Sequence, residues 1–167
     1  MKGTDKISQP ADSAVFAADP SPVKRNSKQG RAIPMEFGYT IQYVDDVNAS
    51  VAFYEKAFRL KRRFIHESDQ YAEMETGSTA LAFASNKLGS MNFPDGFRRN
   101  SISKEPAGIE IVLVTGDVEA AYEYATGYGA AKVAVPKIMP WGQMMAYVRD
   151  LDGVLVEIAS PMGLDQA

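Results

Sequence analysis

Apolar and polar positions along this chain fall into strand-like and helix-like periods, and the same succession of periods occurs twice. Tyr39-Thr-Ile-Gln-Tyr-Val-Asp-Asp-Val47 aligns without gaps on Glu110-Ile-Val-Leu-Val-Thr-Gly-Asp-Val118. Each segment is a short apolar run ending in an aspartate, Asp46 or Asp117. Such a carboxylate accepts the free N–H groups of a helix's first turn. Helical spacing follows: Val47, Val51, Tyr54 and Phe58 in one copy, Val118, Tyr122 and Ala125 in the other. Gly127 and Gly129 supply a helix stop. The copies end alike, Leu81-Ala-Phe-Ala-Ser85 matching Val156-Glu-Ile-Ala-Ser160. Two more strands fit between helix and last strand, about 61–67 and 70–76 in the first copy and about 131–135 and 143–149 in the second. Asp150-Leu-Asp-Gly153 reads as a tight hairpin turn, because glycine takes positive φ freely.

Each half is thus β-α-β-β-β, and the expected fold class is α+β, two βαβββ modules with mixed sheets curled into a cup. A module of about 50 residues cannot bury both faces of its own sheet, which is why the two are expected to act together. Module one spans 37–85, the crossover 86–108 and module two 109–160, within a domain of 35–161. Alternation sorts the strand residues between the helix side and the cup. Ala80, Ala82 and Ala84 point into the cup and leave space. Glu110, Val112 and Val114 join them from the fifth strand, and Leu155, Glu157 and Ala159 from the last. The first strand is the exception, since the same rule puts the polar Thr40 and Gln42 on the helix side.

Composition changes the picture at the ends. Residues 1–34 hold prolines at 10, 20, 22 and 34 and no regular period, and read as an extended arm outside the fold; residues 162–167 read as a tail. The arm carries six Lys/Arg and three Asp/Glu, a balance of +3, so a net charge of −3 leaves −6 on the rest. An acidic body is a poor partner for nucleic acid and suits cationic small molecules. No apolar run approaches the ~20 residues of a membrane span. The start shows no apolar stretch before a small-residue cleavage site, so a cytoplasmic location is expected. The chain has no cysteine, which removes disulfides, thiol nucleophiles and zinc–thiolate sites.

Three segments together carry a family resemblance: Val44-Asp-Asp-Val-Asn-Ala-Ser-Val-Ala-Phe-Tyr54, Pro140-Trp-Gly-Gln143, and Val148-Arg-Asp-Leu-Asp-Gly-Val-Leu-Val-Glu157. Over about 36–161 the chain resembles the glyoxalase / bleomycin-resistance / dioxygenase (vicinal oxygen chelate) superfamily. Leu151 stands where such sequences usually have proline. The resemblance implies one metal ligand on the first and last strand of each module, at positions held here by Tyr39, Ala82, Glu110 and Glu157. Alanine coordinates nothing, and a tyrosine with a pKa near ~10 stays protonated and is a poor ligand. The single histidine, His66, falls on the second strand, away from all four positions. Glyoxalase I and extradiol dioxygenase chemistry are therefore not expected.

The candidate site comprises Tyr39, Tyr43, Ala82, Glu110, Val112, Trp141, Gln143 and Glu157. Glu110 and Glu157 sit among apolar neighbours, where a carboxylate needs a partner. That partner is either a cationic ligand, a weakly held divalent metal or a shared proton, or else an arginine such as Arg63 or Arg99 in a purely structural pair. Trp141, in a loop between Pro140 and Gly142, offers a rim for stacking, with Gln143 as a hydrogen-bonding neighbour; alternatively it plugs the cup. Tyr39 and Tyr43 either face the ligand or fill core. The leading expectation is a small-molecule binding protein similar to the drug-sequestering bleomycin-resistance members, homodimeric and without a cofactor. The alternative is a lyase or isomerase using Glu110/Glu157 as base or weak divalent-metal site.

Overall fold

The structure is a computed structural model that describes residues 34–163. The expected arm up to residue 33, and the tail from 164, lie outside the described residues. The elements follow the chain as β1 (Tyr39–Val44), α1 (Val47–Ala57), β2 (Lys61–Ile65), β3 (Tyr71–Glu75), β4 (Ala80–Ser85), α2 (Asn86–Asn92), β5 (Glu110–Val114), α3 (Val118–Gly127), β6 (Ala131–Ile138), β7 (Met144–Arg149) and β8 (Leu155–Ala159). Both aspartate caps form: Asp46 Oδ1 accepts the Ala49 N–H at 3.0 Å, and Asp117 Oδ1 accepts that of Ala120 at 3.0 Å. Two four-stranded sheets result, ordered β1-β4-β3-β2 and β5-β8-β7-β6. In each, the first strand lies parallel to the last and the remaining pairs are antiparallel. The repeat read from the sequence is therefore a repeat of topology.

Alternation places the side chains as expected. Leu81 and Phe83 of β4 and Val156 and Ile158 of β8 join the core under α1 and α3, while Ala80, Ala82 and Ala84 turn to the opposite face, which α2 covers only at the Tyr43 end. α1 and α3 pack on each other, so one apolar core serves both modules. Gln42 explains the anomaly of β1. It does lie on the helix side, buried, and its Nε2 donates to the Tyr54 hydroxyl at 3.0 Å. No helix among the described residues is long and apolar enough to cross a membrane.

The residues that carry the family resemblance bind the modules together. Tyr54 of α1 donates its hydroxyl proton to Asp150 Oδ2 at 2.8 Å, and Ser50 Oγ donates to Asp152 Oδ2 at 2.6 Å. Asp150 Oδ1 takes the N–H groups of Asp152 and Val154 within its own turn. Arg149 reaches the crossover, donating to the carbonyls of Ser101, Ile102 and Lys104. Gly153, at φ +87°, is required there: a Cβ would stand 2.6 Å from Ile102 N and from Arg149 Nη2. Burial pushes the Asp150 carboxyl up, and it pushes Asp152 up to about 6, helped by the charges of Asp150 and Asp45.

Several boundaries differ from expectation. β2 and β3 are each two residues shorter, β6 runs on to Ile138, β7 starts one residue later, and the crossover begins with a helix, α2. Ser85 caps α2, accepting the Leu88 N–H at 3.2 Å, and Gly89 lets Phe97 and Tyr43 approach; a Cβ there would lie 2.6 Å from the Phe97 ring.

Candidate functional site

The helix-free face of module two carries the chemistry. Glu157 on β8 lies directly across from Tyr147 on β7, and the Tyr147 hydroxyl donates to Glu157 Oε2 at 2.7 Å. Glu157 is only 5% exposed, whereas Glu110, at the start of the edge strand β5, opens to solvent. The Glu110 carboxyl is pushed up by partial burial, then by the charge of Glu157 and by a hydrogen bond to it that only the protonated acid can donate. Tyr147 is pushed up as well, first by its bond to Glu157. Glu110, Glu157 and the Tyr147 hydroxyl thus form one electrostatically linked cluster. No arginine or lysine among the described residues pairs with either glutamate.

Arg63, one of the two expected structural partners, is engaged elsewhere. It pairs with Glu73 and Glu75 of β3, each at 3.0 Å. Arg63 holds Glu75 below the ordinary carboxylate range. Glu73 is a site residue that the sequence reading missed. It lies directly across from Ala82, is 7% exposed, and also takes the Tyr71 hydroxyl at 2.9 Å. Module one therefore keeps a carboxylate at this level of its open face, moved from β4 to the neighbouring strand. The corresponding cross-strand pair of module two is Tyr147 and Glu157. The signal available in the sequence was the alternation of Tyr71, Glu73 and Glu75 against Ala72 and Met74.

Other candidates separate. Tyr39 is half exposed on the same face as Ala82 and, across the β1–β4 pairing, lies opposite Ala80. Tyr43 packs its ring on Phe93 and Phe97 at centroid distances of 5.7 and 5.1 Å, under α2 and the crossover. Val112 is half exposed and pairs in register with Glu157. Trp141, in a turn closed at Gly142 (φ +85°), donates Nε1–H to Gln143 Oε1 at 3.1 Å. Gln143 Nε2 in turn donates to the Ser160 carbonyl at 2.8 Å, three residues beyond Glu157. Both ends of the Gln143 amide are occupied, so its role in the structure is to hold Trp141.

The donors at the four positions implied by the resemblance do not fit a divalent metal. Ala82 lacks a ligand atom, Tyr39 is a poor ligand, and Glu157 already accepts the Tyr147 hydroxyl. Among the described residues no group of three or more His, Asp or Glu is arranged to hold a metal.

Residues 36–158 match the model of the Glyoxalase/Bleomycin resistance protein/Dioxygenase superfamily. The chain belongs to that superfamily. Its fold is similar to that of a glyoxalase-related enzyme from Fulvimarina pelagi, with a TM-score of 0.65 and 18% identity over 80% of this chain and 96% of that one. It is also similar to a glyoxalase/bleomycin resistance protein/dioxygenase from Nocardioides (TM-score 0.61, 17% identity, 82% of this chain and 89% of that). TioX from Micromonospora sp. ML1 is a further neighbour (TM-score 0.57, 18% identity, 75% and 98%). No curated protein matches the chain.

Proposed function

We propose that the protein binds a small cationic or strongly hydrogen-bond-donating organic molecule on the helix-free face of module two, without a metal cofactor. One observation carries this reading: two carboxylates stand close enough for the charge of Glu157 to raise Glu110, and neither has a cationic side chain as partner among the described residues. A cation bound there gains both charges, while Trp141, about half exposed, supplies an aromatic face. Benzamidine is a suitable probe, read by the fluorescence of the only tryptophan. Glu157→Gln keeps the shape and the Tyr147 bond but removes the charge, so affinity should fall by about 2–5 kcal/mol. Benzoate should not compete. Equal benzamidine affinity in wild type and Glu157→Gln rules the reading out.

A second reading has one observation in its favour. A carboxyl raised toward neutrality beside a second carboxylate and a phenol is suited to proton abstraction, so Glu110 would be the base of a lyase or isomerase. The assembly we propose is a homodimer. Tyr39, Ile41 and Ile109 leave an apolar surface exposed along and beside the two edge strands β1 and β5, which a second copy covers.

A further inference from the structure

A cavity of about 640 Å³ lies where the end of α1 meets β5 and α3. Phe58 and Leu60, the Val112–Val114 edge, Ala121 and Tyr124 make it largely apolar, and Arg59 and Asp117 are its only charged lining residues. Its size is that of ordinary small-molecule pockets. The hydroxyls that border it are engaged: Thr76 Oγ1 donates to the Thr79 carbonyl, and Thr115 Oγ1 accepts the Asp117 N–H.

Arg59 is the unusual member. It holds φ at +55°, a conformation left mostly to glycine and asparagine, at the point where the chain leaves α1. The Leu60 N–H returns to the Tyr54 carbonyl across this reversal. Arg59 directly follows the C-cap Phe58, where helices commonly end on a left-handed residue, and this turn brings its side chain back toward α3. The guanidinium of Arg59 lies over the Tyr124 ring, 4.3 Å from its centroid, and Tyr124 meets Tyr128 at 4.6 Å with the rings tilted by 41°. No carboxylate among the described residues pairs with Arg59. A guanidinium over a ring face still has N–H groups for an acceptor, and a carboxylate matches that fork with two parallel bonds.

We propose that this cavity is a second binding site, which takes an amphiphilic monocarboxylate with its carbon chain on the apolar wall and its carboxylate on Arg59. Asp117 sets the opposite end. It precedes Tyr124 by seven residues on α3, about 10 Å along the axis, and repels a second negative group there. The site is separate from Glu110 and Glu157, and its failure leaves the reading of that pair untouched.

The test is an NMR titration of the ¹⁵N-labelled full chain with octanoate, octylamine and suberate. Octanoate should shift the amides of Thr115 and Ala121 saturably and leave the Trp141 indole unmoved. Octylamine and the dicarboxylate suberate should bind roughly tenfold weaker or worse, the scale of a lost charge-assisted bond. Arg59→Asn, which tolerates the left-handed backbone, should weaken octanoate by a similar factor. Ala120→Trp, at an exposed lining position, should fill the cavity and abolish the shifts. The proposal is overturned by octanoate binding that Arg59→Asn leaves unchanged, by octylamine binding as well as octanoate, by shifts confined to the Trp141 side, or by no shifts at all.

Discussion

Single residues divide here between those that hold the modules and those that face a ligand. Tyr54 belongs to the first group. Its hydroxyl takes a bond from Gln42 and gives one to Asp150, and all three side chains are buried. Tyr54→Phe strands a donor and weakens the shell of a buried carboxylate, so urea denaturation should show a loss of about 1–3 kcal/mol. Asp152 has the opposite sign at neutral pH. Its folded-state pKa is raised to about 6, so its stabilising contribution is complete only below the unfolded value and is lost as pH rises through about 6. Glu110 and Asp150 are raised in the same direction. Thermal stability should therefore increase as pH falls from 7 toward 5. Asp152→Asn, which keeps an oxygen for Ser50, should gain about 1 kcal/mol at pH 7.5 once partial exposure is discounted. A gain no smaller at pH 4.5 than at pH 7.5 would contradict this origin.

At the scale of elements, the sequence was legible wherever a local rule acts alone. Asp46 and Asp117 announce α1 and α3 because a cap is decided within four residues, and Asp117→Ala should cost about 1 kcal/mol in chemical denaturation. Strand alternation sorted β4, β5 and β8 correctly between helix side and open face. What the sequence hid depends on register. Glu73 stands across from Ala82 only because of how β3 pairs with β4, and no spacing along the chain states that pairing. Gln42 looked misplaced on the helix side until Tyr54 supplied its acceptor from twelve residues away. α2 was hidden because its seven residues include Gly89, a poor helix former retained for the close approach of Phe97 and Tyr43. The expected arginine partner for Glu110 and Glu157 went to β3 for the same reason as Glu73: cross-strand neighbours outweigh neighbours in sequence.

For the whole molecule, part of the family motif joins the modules and part reaches the open face, where Trp141, Gln143 and Glu157 stand. Tyr54, Arg149, Asp150 and Gly153 join α1 and the crossover to the β7–β8 turn, which accounts for a resemblance that specifies fold without specifying reaction. Assembly belongs to this scale too. Sedimentation at micromolar concentration should give a dimer, and Ile109→Lys, just before the edge strand β5, should shift it toward monomer. A monomeric wild-type chain would contradict the proposed pairing. A cation bound beside Glu110 and Glu157 opposes the rise of the Glu110 pKa, so its binding should release protons. Calorimetric titration of benzamidine near pH 6, in two buffers of different ionisation enthalpy, counts the protons exchanged on binding. The account predicts a net release of up to one proton per benzamidine in the wild type, lost in Glu157→Gln together with most of the affinity. Binding with no proton release, and with equal strength in both proteins, would contradict it.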